Sequence, residues 1–311
     1  MMLLWQANRH NGILVCHYGF LDSQGVVLYV ASPIWFGPSL LYPLPMISPD
    51  IFRTGLRTEV FGRKIYTFDT IDSTNSCART LAACWADEGT VVIADEQTAG
   101  RGRLGRSWHA APGENLTFSL ILRPAIPPDR MGLLSLLVAV GLARGIEEAT
   151  GLRVFCKWPN DLLYGGKKLA GILLEGSCAN ERVEHVVVGI GLNVNQKDFP
   201  ADIAARATSL SRELNGPLER VGLFQSLLKT LEDEYFTQCA DGFASCVPRW
   251  LAYSPVIGRT VSVSHQGQVL HGRVRGVNPD GSLVVANHTG DHVYLAGDVT
   301  IVDMEAYAAR H

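Results

Sequence analysis

A chain of 311 residues is long enough for about two domains of ordinary size, each with a buried core. Apolar residues make up 47% and charged residues 18%, which excludes a chain whose main state is disorder. The 27 Lys plus Arg against 30 Asp plus Glu leave a net charge of −3 and a pI near 6.3, so any contact with a polyanion has to be local rather than a basic coat.

Residues 1–45 show no sustained period beyond an apolar run at 25–31, which reads as a strand. Residues 23–49 hold no charged side chain, but Pro33, Pro38, Pro43, Pro45 and Pro49 interrupt them, which argues against a membrane helix. The basic start and small-residue cleavage site of a signal peptide are not evident either. Ser48-Pro49-Asp50 reads as a helix start, with Ser48 as N-cap and Pro49 at the first helical position. Met46 lies just ahead of it and offers an alternative translation start, with residues 1–45 then an upstream remnant; the other reading is a genuine N-terminal extension.

From Gly62 onward strands and helices alternate, which predicts an α/β or α+β domain with a mixed sheet. A strand at 66–68 leads to the cap-forming cluster Asp72-Ser73-Thr74-Asn75 and a helix running to about Trp85. Strands follow at 90–94 and 116–122, separated by a polar glycine loop. The next helix, about 129–149, is apolar on most faces and carries Gly141, Ala143 and Gly145, so it is expected at the centre, tightly packed, with Gly151 closing it. Strands at 154–158, 169–175 and 183–190 and a helix around 222–239 complete this part. Beyond it, runs at 260–264, 269–277, 283–286 and 292–295 alternate at period two around Asp280-Gly281, which predicts a compact all-β barrel. The seven cysteines are scattered and contain no C-x-x-C, a pattern of reduced thiols in a cytosolic protein rather than a disulfide or zinc framework.

Three segments carry chemistry. Glu96 through Trp108 includes Gly100-Arg101-Gly102-Arg103-Leu104-Gly105-Arg106, whose glycines fit G-x-G-x-x-G but neither follow a strand directly nor open a helix, unlike a dinucleotide fingerprint. Three arginines around glycine instead suit an anion, such as a nucleotide or acyl-phosphate, against the plainer reading of a mobile charged loop. Lys157-Trp158-Pro159-Asn160-Asp161 ends an apolar strand, with the ammonium of Lys157 at the sheet edge, and reads equally as a phosphate or carboxylate contact or as a charged turn. Gly189-Ile190-Gly191-Leu192-Asn193-Val194-Asn195 ends a buried strand in glycines that let a ligand reach the backbone, or else form a bulge and turn.

Ser73-Thr74-Asn75, Gln97 through Arg106 with Trp108, Lys157 through Asp161, Lys168-Leu169-Ala170-Gly171-Ile172-Leu173 and Gly189-x-Gly191-x-Asn193 occur in the order and approximate spacing of the biotin–protein ligases. The chain resembles that family from about Ile51 to Val302. The resemblance implies an α+β, class II synthetase-like catalytic domain over 51–255, an SH3-like β-barrel over 256–303 and a tail over 304–311, after a non-catalytic extension over 1–50.

It also implies the activity: ATP-dependent activation of biotin as biotinyl-5'-AMP, then transfer to a lysine of a biotin carboxyl carrier protein, in the cytoplasm and with Mg2+. Ser73, Thr74, Asn75 and Gln97, with Gly100, Gly102 and Gly189, would form the biotin pocket. Arg101, Arg103 and Lys157 would hold the biotin carboxylate and the α-phosphate. Trp108 would stack on adenine, with Arg106, Asn160, Lys168 and Asn193 near the nucleotide and Asp161 beside Asn160 in the turn or the Mg2+ environment. A homodimer is suggested as well. Longer, repressor-type members carry a winged helix-turn-helix of about 60 residues, and residues 1–45 offer neither that length nor an amphipathic helix, although 40–62 resembles the joining segment. A ligase without operator binding is therefore expected; a lipoate–protein ligase and a biotin-responsive regulator are the competing readings.

Overall fold

The computed structural model describes residues 8–10, 13–21, 27–33 and 48–302. The chain forms two compact units, Met1–Pro45 and Met46–His311. In the first, strands β1 (Asn8–His10), β2 (Ile13–Leu21) and β3 (Val27–Pro33) pair antiparallel in sequence order. Thus β3 covers most of the strand expected at 25–31, whose first two residues lie outside the described residues, as do Met46, the proline-rich stretch 34–47 and the tail 304–311.

The second unit opens with α1 (Pro49–Arg53), where the Ser48 hydroxyl accepts from Asp50 N at 3.3 Å, as its capping sequence requires. There follow β4 (Ile65–Ile71), α2 (Thr74–Ala83), β5 (Val91–Gln97), β6 (Leu116–Leu122), α3 (Met131–Thr150), β7 (Phe155–Lys157), β8 (Asp161–Tyr164), β9 (Lys167–Ala179), β10 (Arg182–Leu192), α4 (Leu210–Leu214), α5 (Arg220–Ala240) and α6 (Cys246–Ala252). The strands make one mixed sheet in the order β4-β5-β6-β10-β9-β8-β7, parallel between β4 and β5 and antiparallel elsewhere.

Alternation along the strands separates the two faces. Val91, Ile93, Leu120, Leu122, Val186 and Val188 join the large core under α3 and α5. Val92, Ile121 and Val187 form a smaller cluster with Ala78 and Ala82 of α2 on the opposite face. The expectation of a central, closely packed α3 holds: a Cβ at Gly145 would stand 2.6 Å from Thr230 Oγ1, so only glycine lets α5 approach that far. Gly151 closes α3 in the left-handed conformation.

The C-terminal part is β11 (Thr260–His265), β12 (Gln268–Val277), β13 (Leu283–Asn287), β14 (Gly290–Tyr294) and β15 (Asp298–Ile301). They form an antiparallel sheet in the order β14-β13-β12-β11-β15, a small barrel-like module whose ladder is open between β14 and β15 among the described residues. Its β12–β13 turn contains Asp280-Gly281 as expected. Gly281 has φ +86° and its carbonyl accepts from the buried Trp158 indole N–H at 2.9 Å.

Four local differences from the sequence reading have short-range causes. Helix α2 stops at Ala83, and Trp85 turns back with φ +59°. Elements α4, α6 and β8 were not anticipated: five, seven and four residues are too few to display a period, and α6 contains Pro248. Among the described residues, no helix is long and apolar enough to cross a membrane.

Candidate active site

The site lies on the α2 face of the sheet, where alternation that places valines under α2 continues into small residues. Beyond Val187 come Gly189 and Gly191 on β10; beyond Ile121 come Ser119 and Thr117 on β6. Their partners on β9 are Glu175, Leu173 and Gly171. Apart from Leu173, the face thus loses its apolar side chains beyond the N-terminal end of α2, leaving a cleft of about 560 Å³.

At one end the N-terminus of α2 enters this floor. Ser73 occupies the N-cap position without making a side-chain cap bond. The cap comes from outside the helix: Gln97 Oε1 accepts from Thr74 N at 2.7 Å and Thr74 Oγ1 at 3.0 Å. Ser119 Oγ reaches Thr74 Oγ1 at 2.8 Å and donates to Asn75 Oδ1 at 2.6 Å. Asn75 Nδ2 in turn donates to Glu175 Oε2 at 2.8 Å. Ser73, Thr74 and Asn75 are all buried, so this end is a dry, preorganised set of amides and hydroxyls.

The arginine segment is a folded hairpin rather than an irregular loop. Gly102 N donates to Arg106 O at 2.7 Å, Trp108 N donates to Gly100 O at 3.0 Å, and Arg101 bridges to Ser107. Gly105 (φ +72°) and the exposed Leu104 (φ +55°) turn the tip. Each arginine has a different counterpart. Arg101 Nη2 pairs with Glu175 Oε2 at 3.0 Å. Arg103 Nη1 donates to Asn160 Oδ1 at 3.1 Å and Gly297 O at 3.2 Å, and Arg106 pairs with Asp298. Burial pulls the Arg103 guanidinium below its ordinary pKa, opposed by Asp298 and Asp161; it remains a cation at any physiological pH.

Lys157 and Asp161 are paired across the β7–β8 turn, which Ser135 holds by donating to Pro159 O at 2.8 Å. The Trp158–Pro159 bond is cis. Asp161 lies between two ammonium groups, Lys168 at 2.7 Å and Lys157 at 3.5 Å. Among the described residues no group of three or more His, Cys, Asp or Glu is placed to hold a metal. Flanked by two lysines and with no second carboxylate beside it, Asp161 does not by itself make a metal cage, although its buried Oδ1 has no hydrogen-bond partner within the chain.

At the other end, the Trp108 indole lies over Gly191 and Gly171, a paired couple on β10 and β9. Lys168 Nζ stands 5.7 Å from its ring centre. The buried Trp108 Nε1 and Asn193 Oδ1 have no hydrogen-bond partner within the chain, while Asn193 Nδ2 donates to Thr208 O at 2.9 Å. Buried polar atoms left over in this way call for a ligand or water.

Of the residues singled out in the sequence, Ser73, Thr74, Asn75, Gln97, Arg101, Gly102, Arg103, Arg106, Trp108, Lys157, Asn160, Asp161, Lys168, Gly189 and Asn193 all line this cleft. Gly100 does not. It forms the neck of the hairpin, where a Cβ would stand 2.7 Å from Trp108 O. Asn195 also stands apart, exchanging hydrogen bonds with the backbone of Leu218. Sequence reasoning missed Thr117 and Ser119, though they are the two polar positions, two apart, of an otherwise apolar strand. It also missed Phe199, Ile203 and Arg206 on one wall and the stretch 298–301 from the C-terminal module, for which no local signal exists.

A family model described as the biotin/lipoate A/B protein ligase family matches residues 67–193. The bifunctional ligase/repressor BirA of Bacillus subtilis is 39% identical over 257 residues, covering 82% of this chain and 79% of that protein. The biotin–[acetyl-CoA-carboxylase] ligase of Paracoccus denitrificans is 33% identical over 73% of this chain and 96% of its own length. Among solved structures, the biotin protein ligase of Aquifex aeolicus in complex with biotin and ATP superposes with a TM-score of 0.65 at 26% identity, covering 76% of this chain and 98% of that one. Sequence, fold and cleft agree, and the chain belongs to the biotin–protein ligases of the biotin/lipoate A/B protein ligase family.

Proposed function

We infer that this chain is an ATP-dependent ligase that activates biotin as biotinyl-5'-AMP and transfers the biotinyl group to a lysine of a biotin carboxyl carrier protein. The observation that carries this reading is the union, in one cleft, of a buried amide pocket, an arginine hairpin and an indole seated on bare glycine strands. The Aquifex aeolicus ligase binds biotin and ATP, which supports the same substrates here. The Paracoccus denitrificans relative ligates biotin to acetyl-CoA-carboxylase, which supports a carboxyl carrier protein as acceptor.

In this reading Ser73, Thr74, Asn75 and Gln97 hold the polar ring of biotin, and its carboxylate extends toward Arg101, Arg103 and Lys157. Adenine stacks on Trp108 and meets Asn193, with Lys168 and Arg106 near the phosphates. A carboxylate oxygen attacks the α-phosphorus, pyrophosphate leaves, and a mixed anhydride remains. No protein nucleophile is required, because positioning and cations that offset the merging negative charges lower the barrier. The amine of the acceptor lysine then attacks the acyl carbon and AMP departs. Between the steps the hairpin shields the anhydride from water.

The proposal places the protein in the cytoplasm and assigns it no operator DNA: the described stretches of residues 8–33 are antiparallel strands, whereas a helix-turn-helix reader presents a recognition helix. Whether two chains associate is a separate question, answered by sedimentation with and without biotin. The deciding experiment is biotin-dependent exchange of labelled pyrophosphate into ATP, with lipoate as control, on chains starting at Met1 and at Met46. Exchange with biotin alone, followed by labelling of a carrier domain, is expected at equal rates from both chains. Exchange with lipoate in place of biotin would overturn the assignment.

A further inference from the structure

One carboxylate that borders the site, behind Asn75 and Arg101, belongs to no motif. Glu175 of β9 sits beside Val187 in the sheet register, on the same face as the cleft floor. Its Oε2 accepts from Asn75 Nδ2 at 2.8 Å and from Arg101 Nη2 at 3.0 Å, while Oε1 faces Arg79 Nη1 at 3.4 Å. Its side chain is 22% exposed, so these bonds are partly withdrawn from solvent. The Glu175 carboxylate can only accept, which fixes the Asn75 amide: its oxygen is then the atom that takes the Ser119 hydroxyl. The NH2 group must therefore face Glu175. The result is a continuous chain of polar contacts, Gln97–Thr74–Ser119–Asn75–Glu175–Arg101, running from the buried amide pocket to the arginine hairpin with each contact between 2.6 and 3.0 Å.

We propose that Glu175 is a positioning residue for the acid substrate: by sharing one carboxylate oxygen between Asn75 and Arg101, it fixes the pocket amide and the hairpin cation relative to each other. This rests on the ligase reading above. Physical considerations favour the role over a plain surface ion pair. A fully exposed pair contributes little to order, whereas a partly buried carboxylate with two charge-assisted or geometrically fixed donors sets the orientation of both. A ligand whose ring docks at Asn75 then finds Arg101 already placed at the distance its carboxylate needs, without the entropy of ordering the hairpin at each encounter. The nucleotide end, built from Trp108, Gly171, Gly191 and Asn193, shares no bond with this chain, so its affinity should not respond.

The test is pyrophosphate exchange with the full chain, titrating biotin and ATP separately, for the wild type, Glu175→Gln and Glu175→Asp. Glutamine keeps the shape and one acceptor but removes the charge that holds Arg101. It should raise KM for biotin about tenfold, the scale of one charge-assisted bond, leave KM for ATP within about twofold, and leave the thermal midpoint unchanged. Aspartate keeps the charge on a shorter stem and should recover part of the loss. Unchanged KM for biotin in the glutamine variant overturns the proposal, as does an equal rise in both KM values with a lower midpoint, the signature of general damage. Should glutamine prevent folding, the aspartate variant decides alone: a higher KM for biotin only supports the role, and no change in either KM ends it. A wild-type chain that does not exchange with biotin removes the ligase reading and this inference together, whereas normal wild-type exchange beside an indifferent glutamine variant removes this inference alone.

Discussion

The indole of Trp108 rests on Gly191: a methyl group added at that glycine would stand 2.6 Å from Trp108 Nε1. Two residues earlier on the same strand face, a methyl at Gly189 would stand 2.9 Å from Asn75 Cγ. One face of β10 therefore presents two bare positions, each beneath a side chain assigned to a different substrate. Gly191→Ala should raise KM for ATP and spare biotin, and Gly189→Ala should do the reverse. Each effect should be about tenfold or more, in keeping with the roughly 1–3 kcal/mol of forced repacking. Titrations of each substrate in the exchange assay check this, and a variant that weakens both substrates equally contradicts the division.

Arg101 lies on a hairpin outside both hydrophobic clusters, and its side chain is 39% exposed. Arg101→Ala should leave the thermal midpoint within a degree or two of wild type, as surface changes generally do. Release of the adenylate intermediate should accelerate by about tenfold to a hundredfold, the scale of one or two charge-assisted hydrogen bonds. Rapid filtration of the preformed intermediate measures it, and an unaltered release rate would refute the assignment.

Glu232 on α5 is 5% exposed, and its carboxylate accepts from the backbone N–H groups of Glu59, Val60 and Phe61, each at 2.7 Å. This contact ties the segment before β4 to the long helix. Glu232→Ala leaves three N–H groups without their acceptor and should cost on the order of 3 kcal/mol of stability. Urea denaturation reads the loss, and the folded fraction should keep wild-type KM values because the cleft lies elsewhere.

His185 is buried on β10. Burial, aided by nearby Arg123, holds its imidazole pKa below the ordinary value near 6.5. The folded chain favours the neutral ring, whereas the unfolded chain takes up a proton from about pH 6.5 downward. This contribution to stability is therefore complete above pH 6.5 and is lost as the pH falls through the range below it. Between pH 7 and pH 5 the wild type should lose more stability than His185→Gln, whose side chain does not titrate. Parallel urea midpoints for the two proteins across that range would show the idea to be mistaken.

The legible parts of the sequence were those whose signal is local. Ser48-Pro49 announces α1, Gly151 ends α3, and Asp280-Gly281 turns β12 into β13, because caps and turns are decided within a few residues. The motif residues were legible as a set, and fifteen side chains or glycines from five separate stretches meet in one cleft. What could not be read was the partner of each. Gln97 caps a helix that begins 23 residues earlier, and Glu175 reaches Arg101 across 74 residues; such pairings exist only once the strand register is set. The arginine segment looked irregular for the same reason. Its hairpin closes through backbone bonds that composition does not reveal.

The indole of Trp158 donates to the carbonyl of Gly281, and a Cβ at that glycine would stand only 3.3 Å from Leu133 Cδ2 on α3. The turn of the C-terminal sheet is thus a plug seated in the larger body, and the residue that grips it adjoins Lys157. Damage to this small module would be transmitted to the reacting end of the cleft through this indole, and also through Gly297 and Asp298, which hold Arg103 and Arg106. Loss of activity after changes in the last fifty residues is then to be read as misalignment of the lysine turn or the arginine hairpin, before any loss of contact with the acceptor protein is invoked.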